Sequence, residues 1–229
     1  MPTWGMSLRE WVEKLAATRI EAVDYDPARL GDEIALRTEW VPAAKGGANF
    51  RTHRLKHTGP RRAEFRVTGG FVAFFVVFTL IGLGVSLGFG AGALAGLRSG
   101  SLWSLFMIVP ILIGGGFAAI GVWMGWVHGA PAVFDKQRGE YWKGRVSPAE
   151  ASNRHTIRER VPLDHIHALQ LLRERCTGND ASYYSYELNL VLKDGTRMNV
   201  VDHGNRERLR RDAEELAKFL GRPLWDASE

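Results

Sequence analysis

Four basic residues, Lys136, Arg138, Lys143 and Arg145, crowd one short stretch around the turn Asp135-Lys136-Gln137-Arg138-Gly139-Glu140. Cations grouped beside a bilayer attract anionic headgroups at ~1 kcal/mol each, so the set fits phosphate contact. The simpler reading is that these residues only fix topology. His165 and His167 alternate on an expected strand, and Asp202-His203 ends another. Two imidazoles and a carboxylate are metal donors. However, Leu169 and Leu171 continue the histidine face and nothing in the spacing brings His203 to it, so no metal and no cofactor are assigned. The single cysteine, Cys176, excludes an internal disulfide and any multi-cysteine metal site. No local motif pairs it with a histidine as a nucleophile. Tyr183, Tyr184 and Tyr186 read as sheet packing, with Tyr184 and Tyr186 facing inward. No residue set names a reaction, and the expectation is a non-enzymatic protein.

The element that positions these groups is a long uncharged stretch. Residues 69–97 and 101–127 carry no charge, and between them lies only Arg98-Ser99-Gly100. About 20 apolar residues cross a ~30 Å hydrocarbon core, so each is long enough to span a membrane. Arg51, Arg54, Lys56, Arg61, Arg62 and Arg66 precede the first span, and the basic quartet follows the second. The turn offers only Arg98. Basic residues are retained on the cytoplasmic side, which predicts two passes with both termini cytoplasmic. Trp103 sits near one end of the second span and Trp123 and Trp126 near the other, where amphipathic rings favour the interface. The opening residues, with Trp4, Arg9, Glu10 and Glu13, do not read as a cleavable leader.

Glycines in the spans are ordered. Gly84, Gly88, Gly92 and Gly96 recur every fourth residue, and Gly114, Ala118, Gly121 and Gly125 fall on one face of the second span. Faces without side chains let two helix backbones approach closely in lipid. They serve either packing within the hairpin or self-association, a homo-oligomer with a channel or transport role included. A pore needs polar lining, and the spans offer only Thr79, Ser86 and Ser104 besides glycine. Pro110 predicts a kink in the second span.

The flanks read as water-soluble. Residues 1–68 form one cytoplasmic region: a helix capped by Ser7 and Glu10 with Leu8, Trp11, Val12 and Leu15 on one stripe, then strands over 34–41 and 49–55 around Lys45-Gly46-Gly47. Residues 128–229 form a second: a hairpin of 132–134 with 141–143, strands over 166–172 and 184–192, and a turn at Lys193-Asp194-Gly195 into 197–201. A three-residue turn with Gly195 left-handed sets Leu188 and Leu190 beside Val200 and Met198, which keeps one face apolar. Asn205 caps a last helix with a Leu209, Ala213, Leu216, Leu220 stripe, and Gly221 and Pro223 end it. The net charge of +5 gathers beside the spans and, without a nucleic-acid motif, predicts no nucleic-acid partner.

The hairpin from Val133 to Trp142, the strand at Ile166-His167-Ala168-Leu169 and the hairpin Glu187 to Val201 with the helix behind it resemble the membrane-tethered bacterial pleckstrin-homology-like domains. That fold has seven strands; fewer are read here. The resemblance implies a binding or scaffolding module in the bacterial inner membrane, and places Lys136 and Arg138 where phosphoinositide-binding pleckstrin domains carry cations. The predicted fold class is a membrane α-helical hairpin plus a cytoplasmic α+β domain, an antiparallel sheet or partial barrel with a C-terminal helix. Expected partners are anionic membrane lipid and a protein in the membrane or cytoplasm.

Overall fold

The computed structural model describes residues 19–22, 25–44, 47–150, 159–177 and 182–229. In chain order these form β1 (Arg19–Ala22), a 3-10 turn (Pro27–Leu30), α1 (Glu33–Arg37), β2 (His53–Gly59), β3 (Arg62–Val67) and α2 (Gly69–Arg98). A 3-10 turn (Leu102–Met107), α3 (Ile108–His128), β4 (Ala132–Asp135), β5 (Glu140–Lys143) and β6 (Glu159–Pro162) follow. The chain finishes with β7 (Ile166–Thr177), β8 (Ser182–Leu192), β9 (Arg197–His203), α4 (Arg206–Leu220) and β10 (Leu224–Ala227). Two compact units result: one from the residues up to Phe65 together with those from Ala132 onward, the other from Arg66 to Pro131. The two polar flanks are therefore one unit, not two regions.

The first unit has two five-stranded sheets. One runs β2-β3-β4-β5-β6; the other runs β1-β7-β8-β9, with β10 parallel to β7 along Leu169–Leu172. The expected strand over 34–41 is instead α1 followed by irregular chain, because the Asp32 carboxylate caps a helix by accepting from Ile34 N–H at 2.9 Å. The partner of β2 is β3, whose last residues lead into the first span. The expected helix over Ser7–Leu15 and the Lys45-Gly46 turn lie outside the described residues.

One core joins the sheets to α4. Phe65, Phe134 and Tyr141 of the first sheet meet Leu169, Leu171, Leu188, Leu190 and Val201 of the second, closed by Leu209, Ala213 and Leu216. Asn205 caps α4 by accepting from Arg208 N–H at 3.0 Å, and Gly221 ends it at φ 67°. The turn after β8 follows expectation at Gly195, φ 87°, and Leu190 faces Met198. Leu188 faces Val201 rather than Val200, because a bulge falls between Leu188 and Asn189 of the ladder. One extra residue flips all that follows to the other sheet face. The bulge thus sets Asp202 opposite Glu187 and turns His203 into the core, where it is fully buried.

The second unit is a helix pair. Gly69–Arg98 and Ser104–His128 are each long and apolar enough to cross a membrane. Thr68 caps α2, accepting from Phe71 N–H at 3.3 Å. Pro110 lies in the first turn of α3, where no N–H is needed. The change in helix geometry comes before it, at the 3-10 turn ending in Met107.

Candidate functional site

The two sides of the β7-β8-β9 ladder differ in kind. Leu169, Leu171, Leu188 and Leu190 point into the core, whereas Gln170, Glu174, Ser185, Glu187 and Asn189 line the opposite face, all nearly or fully buried. Polar side chains are buried only where partners satisfy them. Here the partners belong to residues 39–44 and 47–50, which cross that face. Glu187 accepts from Ala43 N–H and Ala44 N–H, one at each carboxylate oxygen and both at 2.9 Å. Gln170 donates to the Glu39 carbonyl at 3.1 Å and Arg197 to the Val41 carbonyl at 2.6 Å. Further along, Tyr183 and Ser185 hydroxyls donate to the carbonyls of Gly47 and Ala48 at 3.0 and 3.3 Å.

The electrostatics of this face are asymmetric. Burial, and then the Glu187 carboxylate, push the Asp202 carboxyl up to about 7. Asn199 donates to Asp202 at 2.9 Å and opposes the rise, as does the Lys143 ammonium. On the core side, burial holds His203 down to about 4, reinforced by Arg51 and His53. Its Nδ1 accepts from Asn205 N–H at 3.2 Å. Burial raises the Cys176 thiol, with Glu174 adding to it, so its thiolate form is disfavoured.

The expected residue sets are only partly brought together. In the β4–β5 ladder Asp135 pairs with Glu140 and Ala132 with Lys143. Lys136 and Arg138 therefore sit at the turn, and Lys143 and Arg145 at the other end of the hairpin, about 10 Å along the strands. Lys143 donates to the Asn199 carbonyl at 3.3 Å, and the Lys136 ammonium lies 4.7 Å from the Phe219 ring centroid. Arg138 approaches Asp135 at 3.9 Å and Glu150 at 3.7 Å, and Arg145 is exposed. The quartet is not one patch. Arg138 instead lines a cleft of about 550 Å³ with Arg61 of the β2–β3 turn and Arg62 at the start of β3, together with Asp135 and Gln137. Lys136 N–H ties the two turns by donating to the Arg61 carbonyl at 2.8 Å. Only the Arg61-Arg62 doublet hinted at this, and the sequence alone gave no reason to place it near Arg138.

His165 ends a 3-10 turn and His167 occupies a ladder irregularity, so the two do not share a strand face. His167 Nε2 pairs with Asp32 Oδ2 at 2.7 Å. Burial pushes the Asp32 carboxyl up, but the bonds from His167 and Ile34 outweigh it and the net shift is downward. Among the described residues no group of three metal-ligating side chains converges. Tyr186 packs partly against the core. Tyr184 faces outward, 47 % exposed, near the Thr177–Ser182 end of the long β7–β8 hairpin, with the Arg173 guanidinium 5.1 Å from its ring centroid.

In the helix pair, Gly114, Ala118 and Gly121 are buried against α2, and a Cβ on Gly125 would touch Phe75 at 3.6 Å. The face they meet is set by Gly82, which the every-fourth-residue pattern passed over. A Cβ there would lie 2.6 Å from Gly114 O and Ala118 N. A Cβ on Gly96 would stand 2.7 Å from Ser104 Cβ and one on Gly92 3.1 Å from Met107 Sδ, whereas Gly84 and Gly88 have nothing within 4 Å. No family model, no curated protein and no solved structure matches this chain.

Proposed function

We propose that this is a membrane-tethered interaction module: a non-enzymatic, two-pass protein of the bacterial inner membrane whose polar unit binds a partner on the cytoplasmic side. One observation carries the reading. The apolar helix pair is inserted between β3 and β4, neighbouring strands of one sheet that pair Phe65 with Ala132. The chain leaves and re-enters the sheet at adjacent positions, so spans that cross a bilayer return to the face they left. The basic residues on both flanks favour the cytoplasmic face. The strands β3 to β9 followed by α4 are compatible with a pleckstrin-like arrangement, β3 and β6 being strands that the sequence did not announce.

The test is crosslinking of the intact protein in its native membrane beside a chain reduced to residues 66–131. A heterologous partner lost with the polar unit supports the module. Self-crosslinks that alone appear, and survive the reduction, move the glycine-packed oligomer ahead.

A second reading is favoured by the arginine cleft. Arg61, Arg62 and Arg138 line a space of about 550 Å³ together with Asp135, which lies 3.8 Å from Arg62 and 3.9 Å from Arg138, and guanidinium groups suit phosphate oxygens. A phosphate-bearing headgroup fits that chemistry. Replacing the three arginines with Gln in the full chain should abolish its binding of soluble headgroup phosphates; undiminished binding sinks this reading.

A further inference from the structure

The helix pair carries a groove beside its line of contact. It is a space of about 320 Å³ between Val67, Phe75 and Leu80 on one side and Gly121, Gly125 and Gly129 on the other. The three glycines recur every fourth residue and so share one face, and their missing side chains leave the space open. Phe71 and Phe75 meet edge to face, ring centroids 4.9 Å apart, and form the facing wall. A Cβ on Gly125 would stand at an ordinary 3.6 Å from Phe75 Cβ. Beyond Leu80 the groove stops, where Gly82 lies against the Gly114 and Ala118 backbone.

Depth and charge say what covers it. From Gly69 to Leu80 the first helix rises about 16 Å, and from Gly121 to Gly129 the second rises about 12 Å. A hydrocarbon core is ~30 Å thick, so the groove is as deep as one leaflet. Its two ends differ. The mouth residues Val67 and Gly129 directly follow Arg66 and His128, both exposed, whereas residues 69–97 and 101–127 carry no charge. A cation at the surface above an uncharged slot complements an amphiphile with an anionic head. A further helix fits less well. One helical turn, with ~5.4 Å pitch and ~10 Å width, occupies about 420 Å³, more than the whole groove, and a spanning helix would run twice its depth.

We infer that this groove is a binding site for one anionic phospholipid, with an acyl chain laid between α2 and α3 and the phosphate beside Arg66. The inference rests on the two-pass reading, and the site is separate from the arginine cleft of the polar unit. Gly125 and Val122 admit the acyl chain, and Arg66 selects the headgroup.

The test is native mass spectrometry of the full chain in detergent micelles, titrated with phosphatidylglycerol and with phosphatidylcholine of the same acyl chains. The expected result is one retained phosphatidylglycerol, held about five-fold or more tightly than phosphatidylcholine, as one cation beside an anionic headgroup provides. Gly125→Leu fills the groove and should abolish retention. Val122→Trp should do so from the rim, at a position 63 % exposed. Arg66→Gln should remove the preference between the two lipids, whereas Gln at Arg61, Arg62 and Arg138 together should leave it intact. Undiminished retention in a folded groove variant, or equal retention of both lipids by the wild-type chain, overturns the inference. Should neither groove variant fold, Arg66→Gln decides, and a preference it leaves unchanged overturns the site. A chain that alkaline carbonate strips from its native membrane refutes the two-pass reading; a chain that stays embedded but retains no lipid refutes the groove alone.

Discussion

Gly82 and Gly114 pack backbone to backbone: a Cβ built on either would come within 2.6 Å of the other's carbonyl oxygen. This contact, with Ala118 beside it, sets the spacing of the helix pair. Gly82→Leu and Gly114→Leu should each destabilise the pair by about 1–3 kcal/mol, the usual result of overfilling a tight contact. Gly84→Leu and Gly88→Leu, with open space beside them, should leave it unchanged. Crosslinking of cysteines introduced at facing positions of α2 and α3, read against denaturant in micelles, separates the two groups. Equal effects at all four positions would refute the assignment.

Asp202 and His203 are chain neighbours with opposite pH behaviour. The Asp202 carboxyl, raised from 3.8 to about 7, holds a proton in the folded state that the unfolded chain has released. Its contribution is therefore full below about 4 and is lost as pH climbs to about 7. His203, lowered from 6.5 to about 4, stays neutral where the unfolded chain is protonated. Its contribution is full above about 6.5 and is lost as pH falls toward about 4. Across pH 4 to 6.5 the two slopes offset. Asp202→Asn should leave stability rising with pH in that window, and His203→Asn should leave it falling. Each difference from wild type is on the order of 2–4 kcal/mol at the end of the window. Urea titrations at pH 4.5, 5.5, 6.5 and 8 measure both, and parallel profiles in all three chains would count against the assignment.

Glu187→Ala removes the acceptor of two amides. Hydrogen bonds to a charged group are each worth about 1.5–3 kcal/mol. Exchange of the Ala43 and Ala44 amides should accelerate by about 10- to 100-fold, with the α4 amides little affected. Mass-spectrometric hydrogen exchange on peptides covering 39–44 and 206–220 provides the comparison. Unchanged exchange at 39–44 would mean the segment is held elsewhere.

Asn205→Ala removes the side-chain acceptor for Arg208 N–H and should lower stability by about 1 kcal/mol. Asn205→Asp should retain most of it, since a carboxylate also accepts there and favours the helix N-terminus. Thermal unfolding of the three chains orders them, and an alanine variant as stable as wild type would show the cap to be idle.

What was legible in the sequence had local causes. Two uncharged lengths gave the span pair, Asn205 and Gly221 bracketed α4, and Asp194-Gly195 fixed a hairpin. What was missed depended on distant partners. Ile34 to Val41 has a mixed apolar composition that suits a strand, and only the Asp32 cap chose the helix. β10 is four residues long and is defined by its pairing with β7. The bulge that places Asp202 on the polar face arises because Val200 and Val201 are both buried, which no alternating pattern announces. The basic quartet looked like one cluster because sequence distance hides the length of a hairpin. The glycine pattern was read on its period, whereas Gly82 matters through what lies opposite.

The insertion of the spans between β3 and β4 also governs the order in which the protein can be made. Synthesis runs from the N-terminus, so β2 and β3 emerge before either span and have no neighbour to complete their sheet. Glu187, the acceptor for residues 43 and 44, lies more than a hundred positions further on. β3 therefore lacks its neighbour β4 until the whole helix pair has been made. A chain in which just one helix inserted would strand the two halves of a single sheet on opposite sides of a bilayer. On the two-pass reading, a molecule with one helix left uninserted would carry unpaired strand edges, because its sheet could not close.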